Sequence, residues 1–174
     1  KRRIFKRTKF LWEIIDKLSN TILDLRFLFM NKKITLVKFE SVNIIDSEIE
    51  NLIATKQSHQ IFKRSTSELN WILKNPWVLS SPLKDEDSKR YHVSSSDQSF
   101  DFFPLKIRTL ENKLIGFIIF SKRNETLKLP YCYYDKNYLE NIIEVIYWHL
   151  KKWEIKTFTT YHSEITKYLS HNKT

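Results

Sequence analysis

Gly116 is the only glycine in 174 residues, and that scarcity constrains the chain more than any motif it carries. Loops that cradle phosphate rely on glycine so that backbone N–H groups can converge on an anion. A P-loop and a dinucleotide-binding fingerprint are therefore both excluded. Gly116 sits in Leu114-Ile115-Gly116-Phe117, where it is expected to let a strand bend or pack closely against a neighbour. The chain is otherwise rich in core-forming material, 41% hydrophobic and 14% aromatic, enough for one domain of ordinary size with an appendage. The first residue is Lys1 rather than Met, so a piece of a longer protein is expected. No secretory signal and no run of some eighteen uninterrupted apolar residues is present, and a cytoplasmic location is the default expectation.

The net charge of +10 suggests a polyanionic partner, yet six basic residues and no acid fall within the first nine positions, leaving +4 for the remainder. No RNA-binding aromatic motif, zinc-finger spacing or basic-zipper heptad accompanies them, so nucleic acid is disfavoured as a partner. From Phe10 to Phe29 the apolar residues Leu11, Ile14, Ile15, Leu18, Ile22, Leu25 and Phe29 recur at helical spacing. Glu13, Asp16 and Asp24 interrupt the polar face, which favours packing against a domain over lying on an anionic membrane. Residues 1–32 thus read as a basic amphipathic linker helix and 33–174 as the domain proper.

Within that domain Ile34–Phe39 is strand-like. Asp46 is a plausible N-cap for a helix that buries Ile49, Leu52 and Ile53. Ser65-Thr66-Ser67-Glu68 has the form of a capping box, opening a helix that buries Leu69, Ile72 and Leu73 and stops at Asn75-Pro76. Ser80–Ser99 reads as a long connection with a short strand around Tyr91-His92-Val93. A β-meander follows, with strands Phe102–Thr109, Leu114–Ser121 and Thr126–Tyr134 joined by two four-residue turns. The stripe Leu139, Ile142, Ile143, Ile146, Leu150 and Trp153 predicts a long helix, then a strand over Ile155–Tyr161 and a helix over Ser163–Ser170. A helix between two strands predicts a parallel crossover pair.

That element order, together with Leu23-Asp24-Leu25-Arg26, the acidic helix start Ile45-Asp46-Ser47-Glu48-Ile49, and Arg64, Leu69, Asn70, Trp71 and Pro76, resembles the GNAT acyltransferase superfamily. More narrowly, it resembles the C-terminal half of tandem-GNAT proteins, whose corresponding segment has the form R-D-x-x-Y-L-N-W-R-Y before a proline. Ile72-Leu73 replaces Arg-Tyr after Trp71. The resemblance implies an α/β (α+β) fold, a mixed and mainly antiparallel sheet flanked by helices. It also implies N- or O-acyl transfer from acetyl-CoA or another acyl-CoA to a small-molecule or sugar acceptor by the full-length protein, and an upstream GNAT-like half or partner domain.

The family binds the cofactor pyrophosphate at an R/Q-x-x-G-x-G/A turn between its fourth strand and the next helix. Here the matching turn, Tyr134-Asp135-Lys136-Asn137-Tyr138, has no glycine and offers an aspartate, which reads as a helix N-cap. This half is therefore expected to bind no acyl-CoA of its own and to serve acceptor binding or support. Tyr168 falls near the family's catalytic tyrosine, the proton donor to the leaving thiolate. Arg64 and Trp71 are placed in a substrate groove between the halves, although burial tendencies alone put Trp71 in a core. Cys132, in an apolar aromatic run, reads as strand packing rather than a reactive thiol. The five histidines show no metal spacing, and His92 near Ser94, Ser95, Ser96 and Asp97 lacks a nucleophile elbow. The rival function is a non-catalytic interaction module whose basic first segment meets a partner protein, an anionic surface or nucleic acid.

Overall fold

The computed structural model describes residues 37–57, 63–80, 96–97 and 99–171. The predicted linker helix over 1–32, the Leu23–Arg26 segment and the short strand at Tyr91–Val93 lie outside them. Strand β1 (Val37–Ser41) leads to helices α1 (Ser47–Lys56) and α2 (Thr66–Lys74), and two-residue strands β2 (Leu79–Ser80) and β3 (Ser96–Asp97) pair in parallel. The meander β4 (Phe100–Thr109), β5 (Leu114–Arg123) and β6 (Thr126–Tyr134) follows. A 3-10 turn (Lys136–Tyr138), α3 (Leu139–Lys152), β7 (Thr157–Thr160) and α4 (Ser163–His171) complete the order.

The main sheet runs β1-β4-β5-β6-β7. Its first three pairings are antiparallel and β6–β7 is parallel, with α3 as the crossover. This is the mixed, mainly antiparallel sheet with flanking helices expected from the sequence. Both helix starts are made by the residues foreseen for them. Asp46 accepts the Ile49 N–H at 2.9 Å. Ser65 and Glu68 close a reciprocal capping box. The differences lie at strand ends. β5 continues through Lys122 and Arg123, because those residues pair with Asp101 and Phe100 of a longer β4, and the turn to β6 shrinks to Asn124-Glu125. Asn124 adopts a positive φ there, a conformation asparagine tolerates.

The core lies on both faces of the sheet because β5 is buried on both. Ile118 and Phe120 pack with Ile142, Ile143, Val145 and Ile146 of α3. Phe117 and Ile119 pack with Ile49 and Ile53 of α1 and Leu69 of α2. The β4–β5 register slips at Ile107/Arg108, leaving Ile115 as an extra residue. A bulge of this kind turns neighbouring residues toward one face. Ile115 fills the α3 side, and a Cβ on Gly116 would stand 2.7 Å from Ile142 Cδ1. The lone glycine is thus explained by close approach of α3 to a bulged strand.

Candidate functional site

The parallel ladder between β6 and β7 runs only from Thr126↔Thr157 to Leu129↔Thr160. Beyond it the two chains part, and a second bulge helps to separate them. The β5–β6 register slips between Ile119 and Ser121, leaving one extra residue on β6 near Leu129-Pro130. Proline has no N–H to give to a ladder, so it suits the point where pairing ends. The bulge also switches which residues face which side. Leu127 and Leu129 belong to the α3 cluster, whereas Tyr131 and Tyr133 belong to the α1–α2 cluster, two odd-numbered pairs on opposite faces.

A cleft of about 320 Å³ opens where the strands diverge, lined by Arg64, Pro130, Tyr131, Tyr133, Tyr161 and His162 among others. Arg64 is held at its rim by a buried side chain. Gln57, which caps the end of α1, accepts the Arg64 backbone N–H through Oε1 at 2.8 Å. Its Nε2 donates to the Arg64 carbonyl and to the Tyr133 hydroxyl, both at 3.1 Å. One amide thus fixes the backbone of Arg64 against β6, and its bond to Tyr133, the buried one of the three, is strengthened by the dry surroundings. Burial first, then the neighbouring Tyr131, pushes the Tyr133 phenol up to about 12, so it is a neutral hydroxyl at physiological pH. The Arg64 side chain is half exposed. Its Nη1 meets Glu68 at 3.3 Å, while that carboxylate also serves Ser65 of the capping box.

On the opposite wall His162 stacks on Tyr134 with ring centroids 5.2 Å apart. Burial lowers its pKa, which favours the neutral imidazole. Its buried Nδ1 has no partner among the described residues. Cys132 is half-buried, and burial raises its thiol well above the ordinary range. A thiolate nucleophile is disfavoured there, in accord with the strand-packing reading.

The turn after β6 satisfies itself. Asp135 N–H donates to the Ile115 carbonyl at 2.9 Å. The Asp135 side chain accepts the Asn137 N–H at 3.3 Å, and its carbonyl accepts the Tyr138 N–H at 2.9 Å. Asp135 is the N-cap of the 3-10 turn, and not of the long helix α3 as expected from the sequence, whose N-cap is Tyr138 with no side-chain cap bond. Glu164, in the first turn of α4, ties the turn down further. It accepts from the Tyr134 hydroxyl at 2.6 Å and pairs with Lys136 at 3.1 Å. Those two bonds hold its carboxyl below the usual range.

Of the three site residues named from the sequence, Arg64 lines the cleft. Trp71 is on α2 with 66% of its surface exposed, so it is not the core residue that burial tendencies suggest. Its neighbour Asn70 is structural, accepting the Ile45 N–H at 3.0 Å. Tyr168 packs half-buried on the α3 cluster, close enough to Tyr147 to raise that phenol's pKa, after burial. It is not among the described residues lining the cleft. Gln57, Tyr131, Tyr133 and His162 were missed by sequence reasoning. A polar Gln at a helix end carried a faint signal, but the bond that matters joins residues 76 positions apart. Among the described residues there is no cluster of three or more His, Cys, Asp or Glu able to hold a metal, and no helix long and apolar enough to cross a membrane.

No protein-family model matches this chain, and no curated protein does. Among solved structures it is similar to the ribosomal-protein-S18-alanine N-acetyltransferase from Escherichia coli. The two are 13% identical with a TM-score of 0.40, over 78% of this chain and 76% of that one.

Proposed function

We propose that this domain is one half of an acyl-CoA-dependent N- or O-acyltransferase, acting in the cytoplasm. In this reading it shapes the groove for a sugar or small-molecule acceptor while an upstream GNAT-like half holds the acyl-CoA. The reading rests on one observation, the turn at Tyr134–Tyr138. An anion nest needs free N–H groups converging on the phosphate. Three of the N–H groups at this turn already have protein acceptors. Asp135 adds a carboxylate where a pyrophosphate would bring two more negative charges. The residues present do not fit the cofactor's pyrophosphate. Arg64 and the tyrosines of the cleft remain available to an acceptor.

Isothermal titration of the 174-residue chain with acetyl-CoA tests the reading. No saturable heat is expected in the micromolar range, whereas micromolar binding would overturn it. The rival interaction module makes a different prediction. It requires salt-dependent binding to DNA or anionic vesicles that disappears when the basic residues of Lys1–Lys9 are replaced.

A further inference from the structure

The cleft between the parting strands has a chemistry more specific than a groove. Arg64 is the charged side chain among its described lining residues, and no acid lines it with Arg64. Its ion-pair partner Glu68 reaches only Nη1 and is shared with Ser65. Exposed pairs of this i,i+4 kind contribute little, so the guanidinium is readily claimed by a better-placed oxyanion, which it can grip with two parallel bonds. Around it stand the rings of Tyr131, Tyr133 and Tyr161. Tyr161 is 91% exposed, a large ring left in water beside a cleft. His162 contributes a buried nitrogen without a partner, and such exceptions call for a reason.

The Gln57 amide makes this a built site. Three hydrogen bonds of one nearly fully buried side chain fix the Arg64 backbone and the Tyr133 hydroxyl together, so the chain carrying the guanidinium is already in place before a ligand arrives.

We infer that the cleft binds a ring-bearing small molecule carrying a carboxylate or phosphate, with Arg64 as the anion anchor and Gln57 as the residue that positions it. This rests on the reading of the cleft as the acceptor groove. The rings of Tyr131 and Tyr161 stack on or flank the ligand's ring, the Tyr133 hydroxyl stays with Gln57, and the oxyanion lies at the rim, where it keeps part of its hydration.

Amide NMR spectra of the full chain, titrated with benzoate, phenyl phosphate and the neutral benzyl alcohol, test it and separate the two kinds of anion. Both anions, or one of them, should shift the amides of Arg64, Tyr131, Tyr133 and His162 with a dissociation constant near the millimolar range, about tenfold tighter than benzyl alcohol. Arg64→Gln should abolish that preference and leave benzyl alcohol binding unchanged. Gln57→Met, and Tyr133→Phe where the former folds poorly, should reduce the anion preference several-fold while benzyl alcohol still binds, an effect that general loosening of the cleft would not produce. Equal binding of neutral and anionic probes, shifts confined to other parts of the sheet, indifference to Arg64→Gln, or no saturation up to about 10 mM would each overturn the inference. Acetyl-CoA shifting the amides of Asp135–Tyr138 would sink the closed-turn reading and leave the anion preference standing. Loss of the preference alone sinks only the present inference.

Discussion

Replacing Gly116 with alanine probes the contact that explains the only glycine in the chain. Its φ is not positive, so the backbone accepts alanine without strain, and the cost comes from space alone. The new Cβ would stand 2.7 Å from Ile142 Cδ1 and 3.4 Å from Tyr134 Cβ. The second distance is ordinary contact; the first forces the fully buried Ile142 to move. Overpacking of this kind costs about 1–3 kcal/mol, offset by about 0.4–1 kcal/mol from the reduced freedom of the unfolded chain. Net destabilisation should be about 1–2 kcal/mol, a fall in Tm of roughly 2–8 °C for a chain of this size. Ile142→Val deletes the clashing atom and alone should cost about 0.5–1.5 kcal/mol. In the double variant the alanine methyl occupies space vacated by Cδ1, so the two costs should cancel in part, with a favourable coupling of about 1 kcal/mol. Urea unfolding of the four proteins measures it. A neutral Gly116→Ala, or strictly additive variants, would refute the claim that close approach of α3 selected glycine.

His149 is buried in a box of Phe39, Phe120, Trp148 and Trp153, with its ring Nδ1 2.7 Å from the Val145 carbonyl. Burial drops its pKa from 6.5 to about 4. The unfolded chain therefore takes the proton first, and stability is lost as pH falls from about 6.5 toward 4, by about 3 kcal/mol in the limit. His149→Phe should flatten that part of the denaturation-midpoint profile, and an unchanged slope would show that other groups set it. Asp46→Ala removes a helix cap and one of the two carboxylates on the nearly buried Lys106, at 2.6 Å, while Glu48 remains at 2.9 Å. A loss of about 0.5–2 kcal/mol is expected for the cap. Asp46→Asn keeps an acceptor for Ile49 and should cost less, so equal losses would place the effect on the ion pair. The Lys106 bond chiefly, then the Ile49 N–H, holds the Asp46 carboxyl low. Its contribution is present above the ordinary carboxylate range and is lost as pH falls through the lowered value.

The parts of this fold that were legible in the sequence are those decided within a few residues. Asp46 and Ser65–Glu68 announce helix starts because a cap is a bond between neighbours. The meander and the α3 stripe are legible because periodicity survives without knowledge of the partner. Strand ends were less so. Lys122 and Arg123 look like turn residues, and only the partners Asp101 and Phe100 across the ladder extend the strand through them. The site was largely illegible for the same reason. Arg64 was found through a motif position, but its role depends on Gln57 and Tyr133, brought to it by the packing of α1 on β6.

The most instructive failure of local pattern is at β6, because the bulge near Leu129-Pro130 inverts the alternation on which a strand is read. A strict period of two puts Leu127, Leu129, Tyr131 and Tyr133 on one face, the face toward α3. The extra residue sends the two tyrosines to the other side, where Gln57 and Arg64 lie, and leaves Cys132 and Tyr134 facing α3 and α4. Tyr134 there bonds Glu164, which also pairs with Lys136 and so ties down the turn after β6. One inserted residue therefore has two consequences. It builds the tyrosine wall of the cleft on one face, and on the other it supplies the hydroxyl that helps tie down the turn after β6. Both depend on β7 stopping at Thr160, since a longer ladder would hold β6 straight and fill the space the cleft occupies. The placement of Pro130 where that ladder ends, with no N–H to offer a further partner, is the sequence feature that connects the fold to the site.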